Sequence, residues 1–130
     1  MKKGLGVLGC LFYLSLSAVS TVRAETYPDP LELGSGIYQK VFENEKVRVS
    51  EIRFNPGDEI AMHTHSFDHF IYVLDAGKLV LSYPEGKTAE MQGAAGQVMW
   101  VPKESHSAKN TGETVFRALV VELKEPKAAQ

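Results

Sequence analysis

Apolar residues in this chain fall into short runs, at residues 37–42, 47–54, 59–65, 70–74, 78–82, 97–101 and 116–123. Turn chemistry separates them: Asn55-Pro56-Gly57-Asp58, Asp75-Ala76-Gly77, Pro84-Glu85-Gly86, the Gly-flanked segment 93–96, and Asn110-Thr111-Gly112-Glu113. Gly and Asn tolerate the left-handed backbone that tight turns need, and Pro fixes φ for the first turn position. Short runs punctuated in this way predict an all-β sandwich or barrel. No stretch of about a dozen residues keeps a 3.6-residue apolar period, so no helix is expected. Two runs, Phe70-Ile71-Tyr72-Val73-Leu74 and Leu119-Val120-Val121, are apolar on both faces. One face of a small barrel fills its interior, and the other must meet a second sheet, a helix or another subunit. A homodimer is therefore expected.

The ends of the chain do not share this pattern. Residues 1–24 read as an export signal: Lys2 and Lys3 open it, a weakly apolar Ser-rich stretch with Leu11, Phe12, Leu14 and Leu16 follows, and Val22-Arg23-Ala24 supplies a small-residue cleavage pattern. Cleavage after Ala24 would deliver a periplasmic or secreted protein. No stable membrane anchor is expected, because the stretch is short for a span; an uncleaved anchor or a lipid on Cys10 are the alternatives. Residues 25–36, with Pro28, Pro30, Gly34 and Gly36, read as an extended lead-in, residues 37–124 as the barrel, and residues 125–130 as a charged tail.

Length and charge then narrow the function. A chain of 130 residues is one domain. Its net charge of −2 offers no basic surplus to displace counterions from phosphates, so nucleic acid is not an expected partner. Loss of residues 1–24 removes Lys2, Lys3, Arg23 and the single Cys and no acidic group, leaving 11 Lys plus Arg against 16 Asp plus Glu. The mature protein is then mildly acidic, without disulfide or thiol chemistry. A Gly-rich phosphate loop and a Ser nucleophile elbow are also missing, which leaves nucleotide and acyl-enzyme chemistry without support.

The four histidines carry the informative chemistry. His63 and His65 are one residue apart, and on a strand that spacing aims both imidazoles at one face. His69 follows after three residues that can turn the chain, and His106 comes from a distant run. Neutral imidazoles can converge without the repulsion of a carboxylate cluster, and they suit Fe, Mn, Ni, Cu or Zn. A single histidine is more often a satisfied core or surface residue than a ligand, but here three of four fall within residues 63–69. Other candidates are weaker. Asp68 could orient an imidazole or simply be a solvated turn residue; Glu104 could act as a base or be a plain loop carboxylate; Tyr72, Trp100, Met62 and Met99 could line a pocket, pack in the core or form a dimer interface.

The stretch Gly57-Asp58-Glu59-Ile60-Ala61-Met62-His63-Thr64-His65, followed by His69, Tyr72-Val73-Leu74 and Gly77, resembles the first cupin motif, in which a Glu follows the His-x-His pair and precedes a Gly. Gly96, Pro102, His106 and Asn110 resemble the second. The two motifs span most of residues 47–123, and the resemblance implies a double-stranded β-helix, or jelly-roll, barrel with one metal on its axis. Two departures stand out. His69 occupies the usual Glu position, one residue further than usual from Gly77. Glu104 stands where Gly is usual, and the spacing from Pro102 to His106 is one residue short. Four neutral nitrogens would leave a divalent ion its full charge, favouring an anionic or enolisable oxygen ligand and a stronger Lewis acid than a carboxylate-containing site. Three functions follow from this reading. The protein could be a metal-dependent oxygenase, isomerase or lyase acting on a small oxygenated molecule. It could be a non-catalytic module that holds a metal or small ligand outside the cytoplasm. It could also use the metal only to stabilise its barrel.

Overall fold

The computed structural model describes residues 26–125. The expected export signal and the tail residues 126–130 lie outside the described residues. Nine strands form, β1 (Tyr38–Glu43), β2 (Val47–Phe54), β3 (Glu59–Thr64), β4 (His69–Asp75), β5 (Gly77–Ser82), β6 (Thr88–Gly93), β7 (Val98–Val101), β8 (Ser105–Asn110) and β9 (Phe116–Leu123), and no helix is present among the described residues. They pair antiparallel into a five-stranded sheet, order β1-β2-β9-β4-β7, and a four-stranded sheet, order β3-β8-β5-β6. The inner faces of the two sheets enclose one core, the jelly-roll barrel that the motifs imply.

Two strands lie outside the apolar runs. β6 is mostly exposed and β8 reads Ser-His-Ser-Ala-Lys-Asn. Both are held by backbone ladders to β5, with Leu81 opposite Ala89 on one side and Ala108 on the other. Backbone pairing needs no apolar side chain, which is why hydrophobic pattern does not find them. The Asn55–Asp58 break is a turn in which Asp58 N–H donates to Asn55 O (3.0 Å). Gly57 takes φ +86° there, the left-handed value that the third residue of a type II turn after Pro requires.

Register sorts the inner face of the larger sheet into layers. Phe54 lies opposite Phe116, and Ile52, Ala118 and Val73 make the next row, followed by Ser50, Val120 and Ile71. The last row, across β2, β9 and β4, is Arg48, Glu122 and His69. The smaller sheet has the same polarity: Leu81 opposite Ala108 and Ala108 opposite Ile60 are apolar, and His63 opposite His106 is not. One end of the barrel is thus closed by Phe54, Phe116, Val73 and Ala118, all almost completely buried. The other end is lined by imidazoles and charge.

A bulge in β3 makes this possible. Between Ile60 and His63 the strand carries one residue more than β8 does between His106 and Ala108. Strict alternation would send residues 60 and 63 to opposite faces. The extra residue resets the alternation, so that Ile60 (1% exposed) and His63 (0%) both point inward.

The outer face of the larger sheet is also apolar. One row runs Trp100, Phe70, Val121, Val49 and Phe42, and beside it lie Val98, Tyr72 and Leu119. Trp100 is 58% exposed, Val98 60% and Phe42 51%. Tyr72 and Trp100 therefore line no interior pocket, whereas Met99 packs against the core.

Candidate metal centre

The four histidines arrive from both sheets. His63 lies in β3, His65 just past its end, His69 begins β4, and His106 sits in β8 directly opposite His63. The shortened spacing before His106 therefore does not keep it away: its ring centroid is 4.7 Å from that of His63 and 5.3 Å from that of His65. Nitrogen donors of His63, His65 and His106 all lie within 4.8 Å of one another. His69 stacks beside them at a tilt, 4.4 Å from His65 between ring centroids. All four rings are buried, His106 the least at 6% exposed.

Each ring is held through Nδ1. His63 Nδ1 donates to Ala61 O (2.8 Å), inside the bulge, and His69 Nδ1 donates to Phe67 O (3.2 Å). His65 Nδ1 donates to Glu122 Oε1 (3.3 Å) and His106 Nδ1 to Glu104 Oε1 (2.9 Å). These acceptors assign the proton to Nδ1 in every ring and leave each Nε2 as a lone pair. The Nε2 atoms of His63 and His65 are 3.2 Å apart. Two acceptor nitrogens at that distance repel unless a proton or a cation lies between them. Nitrogens on one ion at about 2.1 Å stand roughly 3.0–3.4 Å apart across octahedral or tetrahedral angles. Donor type, tautomer and the His63–His65 spacing therefore fit a transition metal, with His106 within reach and His69 outside the group of three whose donors come together.

Electrostatics point the same way. Burial lowers the pKa of His63 and of His69 to about 4, and that of His106 to about 2, with repulsion from neighbouring rings adding to the effect. Neutral rings offer their lone pairs without first losing a proton, which favours metal uptake at neutral pH.

Behind the rings lies a charged chain that sequence reading does not anticipate. Glu122 accepts from His65 with one oxygen and from Arg48 Nε with the other, and Arg48 Nη2 donates to Asp29 Oδ2 (2.6 Å). Burial alone would raise the Glu122 pKa, but these hydrogen bonds and the Arg48 charge hold it at about 2, ionised. Carboxylates behind ligand imidazoles fix their tautomer and raise their basicity. Glu122 fixes the tautomer of His65, and Glu104 that of His106. Glu104 is neither a free base nor a plain loop carboxylate, and burial raises its pKa. Asp68 makes no hydrogen bond to an imidazole; its carboxylate accepts from Lys103 N–H (2.9 Å).

A signal for Glu122 and Arg48 exists in the sequence. Glu122 keeps the inward parity of Phe116, Ala118 and Val120, and Arg48 that of Ser50, Ile52 and Phe54. A charge on the core-facing parity of a strand must have a buried partner. Tyr38 lay in the 37–42 run with nothing to mark its hydroxyl, and Asp29 gave no such signal, because it depends on the path of the lead-in. That segment is pinned: Thr64 N–H donates to Pro28 O (2.9 Å), Asp29 caps its own turn through Leu31 N–H (3.0 Å), and Pro30 is fully buried. It delivers Tyr38, whose hydroxyl lies 3.4 Å from His65 Nε2.

This barrel and its inward histidines define a class. The sequence profile of the cupin domain matches residues 50–122, and the chain belongs to that family. A cupin domain from Bordetella pertussis Tohama I is 30% identical over 78% of this chain and 99% of its own, with a TM-score of 0.64. An RmlC-like cupin with a double-stranded β-helix fold from Methanocaldococcus jannaschii covers 94% of this chain and 96% of its own at 15% identity and a TM-score of 0.57, a likeness of fold. The polyketide cyclase RemF from Streptomyces resistomycificus is 26% identical over 68% of this chain and 64% of its own, with a TM-score of 0.52. A comparison with curated proteins finds no match. Asp29, Tyr38 and Arg48 all lie before the matched residues.

Proposed function

We propose that the barrel holds one divalent transition metal (Fe, Mn, Ni, Cu or Zn) through Nε2 of His63, His65 and His106, with His69 as the fourth nitrogen donor. The metal is presented to a small oxygenated molecule, preferentially an anionic one. The observation that carries this reading is that all four Nδ1 atoms are committed to acceptors while nitrogen donors of His63, His65 and His106 lie within 4.8 Å of one another. When bound, such an ion supplies Lewis acidity or redox chemistry for oxygenation, isomerisation or lyase reactions. The chain's own part is to keep four neutral rings in one tautomer, with carboxylates behind His65 and His106, and to exclude bulk water by burial. The likeness to a polyketide cyclase favours catalysis over storage.

Metal analysis of protein purified from its own compartment tests this, with one transition-metal ion per chain as the expected result. His63→Ala, His65→Ala and His106→Ala should each abolish stoichiometric uptake, and His69→Ala should weaken it. Full metal content in His106→Ala would overturn the site. A non-catalytic metal-holding module is favoured by one observation: Glu104 and Glu122 are both engaged by imidazoles, leaving neither free as a base. Tightly held zinc without exchangeable water would support the module, and oxygen consumption or turnover of an added enol would support the enzyme.

Two further proposals complete this reading. The Lys2-Lys3 start and the Val22-Arg23-Ala24 pattern favour export with cleavage after Ala24, which the mass of the mature protein tests. The apolar rows centred on Phe70, Trp100 and Tyr72 favour a homodimer through the outer face of the larger sheet. Light scattering that gave a monomer at micromolar concentration would remove the dimer.

A further inference from the structure

We infer that the Tyr38 hydroxyl is the site's own hydrogen-bond donor to an oxygen or nitrogen atom of a small anion held there. The inference rests on the metal reading above and adds a residue from outside the family match.

Tyr38 lies on β1 opposite Ile52, a core residue of β2, so its ring projects into the barrel. The ring meets His63 nearly edge-on (centroids 5.8 Å apart, planes at 65°) and tilts over His65 (6.0 Å, 46°). Its hydroxyl donates to His65 Nε2, the nitrogen that faces the other donors, and not to Nδ1, which Glu122 occupies. The hydroxyl therefore stands on the ligand side of the imidazole. Once His65 gives that lone pair to a cation, Tyr38 loses its acceptor. A buried donor without a partner is costly. The carboxylates of Glu122, Glu104 and Asp29 are each bonded elsewhere and none is within hydrogen-bond distance of the hydroxyl. An anion in the open position replaces the lost acceptor and takes the Tyr38 proton donor. Such a donor selects anions that keep a lone pair after binding metal over neutral ligands that do not.

The test uses the full-length protein loaded with cobalt(II), titrated separately with azide and with ammonia while the visible cobalt spectrum is followed. Tyr38→Phe keeps the ring packing and removes only the hydroxyl. Azide affinity should fall about tenfold, the usual worth of a hydrogen bond to a charged acceptor. Ammonia, which has no lone pair left once bound, should bind both proteins equally. Cobalt affinity should not fall, because the hydroxyl competes for the His65 lone pair in the metal-free protein. Equal azide affinity in the two proteins overturns the inference and leaves the metal centre standing. A parallel loss of azide and ammonia binding would mean a packing role and also overturns it. A phenolate-to-metal charge-transfer band in iron(III)-loaded protein, lost in Tyr38→Phe, would make Tyr38 a metal ligand and overturn the donor role. If the unaltered protein takes up no cobalt, the metal centre itself fails and this inference falls with it.

Discussion

The two ends of the barrel interior are built from the same strands but held together by different physics. At the closed end Phe54, Phe116, Ala118 and Val73 need only shape, since apolar burial is non-directional and tolerates any partner that fills space. At the open end Glu122, His65, His69, His63 and His106 are buried too, with Arg48 half-buried beside them, and each polar atom has to find a named partner. Among the described residues no buried side-chain nitrogen or oxygen lacks one. A polar cluster in a core is stable only when complete, so the two ends should respond differently to the same kind of damage.

The largest effect is expected at the closed end. Phe116→Ala should cost about 3–5 kcal/mol of stability, read from denaturant unfolding, because it opens a cavity among residues that cannot collapse. Metal uptake per folded molecule should be unchanged. At the open end Glu122→Gln should lower metal affinity as well as stability. It removes the charge that pairs with Arg48 and backs His65, and metal affinity should fall about 10–100-fold by competition with a chelator. If Phe116→Ala and Glu122→Gln changed metal affinity equally, the contrast between the ends would be false.

Acid should also separate them. In the metal-free protein His63 and His69 titrate at about 4, below the ordinary value of 6.5. The unfolded chain therefore takes up these protons first, and stability is lost as pH falls from 6.5 through about 4, by at most about 1.4 kcal/mol per pH unit for each histidine. Glu122, at about 2 against 4.5, adds a loss of the same sign below pH 4.5. Urea midpoints at pH 7 and 5 should show the drop, and His69→Leu should reduce its slope while Phe116→Ala leaves the slope alone. The smallest effect is expected at Gly93, where an added Cβ would lie 2.8 Å from Val73 Cγ2. Gly93→Ala should destabilise by about 1–3 kcal/mol through overpacking, with the pH dependence unaltered.

The closed end was the more legible in the sequence. Residues 47–54 and 116–123 are read from hydropathy with the bounds they have in the structure, because strands that are half or wholly buried advertise themselves. β6 and β8 do not, since their ladders are made of backbone. At the open end the histidines stood out by type and spacing, and so did the cupin motifs. Glu122 was readable from strand parity yet sits directly after Leu119-Val120-Val121, which is apolar on both faces. Asp29 was not readable, because its place depends on where the lead-in crosses the barrel, and no local pattern encodes that crossing; Tyr38 lay in the 37–42 run, but nothing there marked its hydroxyl.

The extra residue in β3 acts as a frameshift in the strand's two-residue rhythm. A lineage that deleted it would keep either the Ile60 anchor or the inward aim of His63, but not both without re-pairing against β8. Deleting Ala61 or Met62 would therefore turn the His63 ring away from its three fellows while leaving every histidine in the sequence.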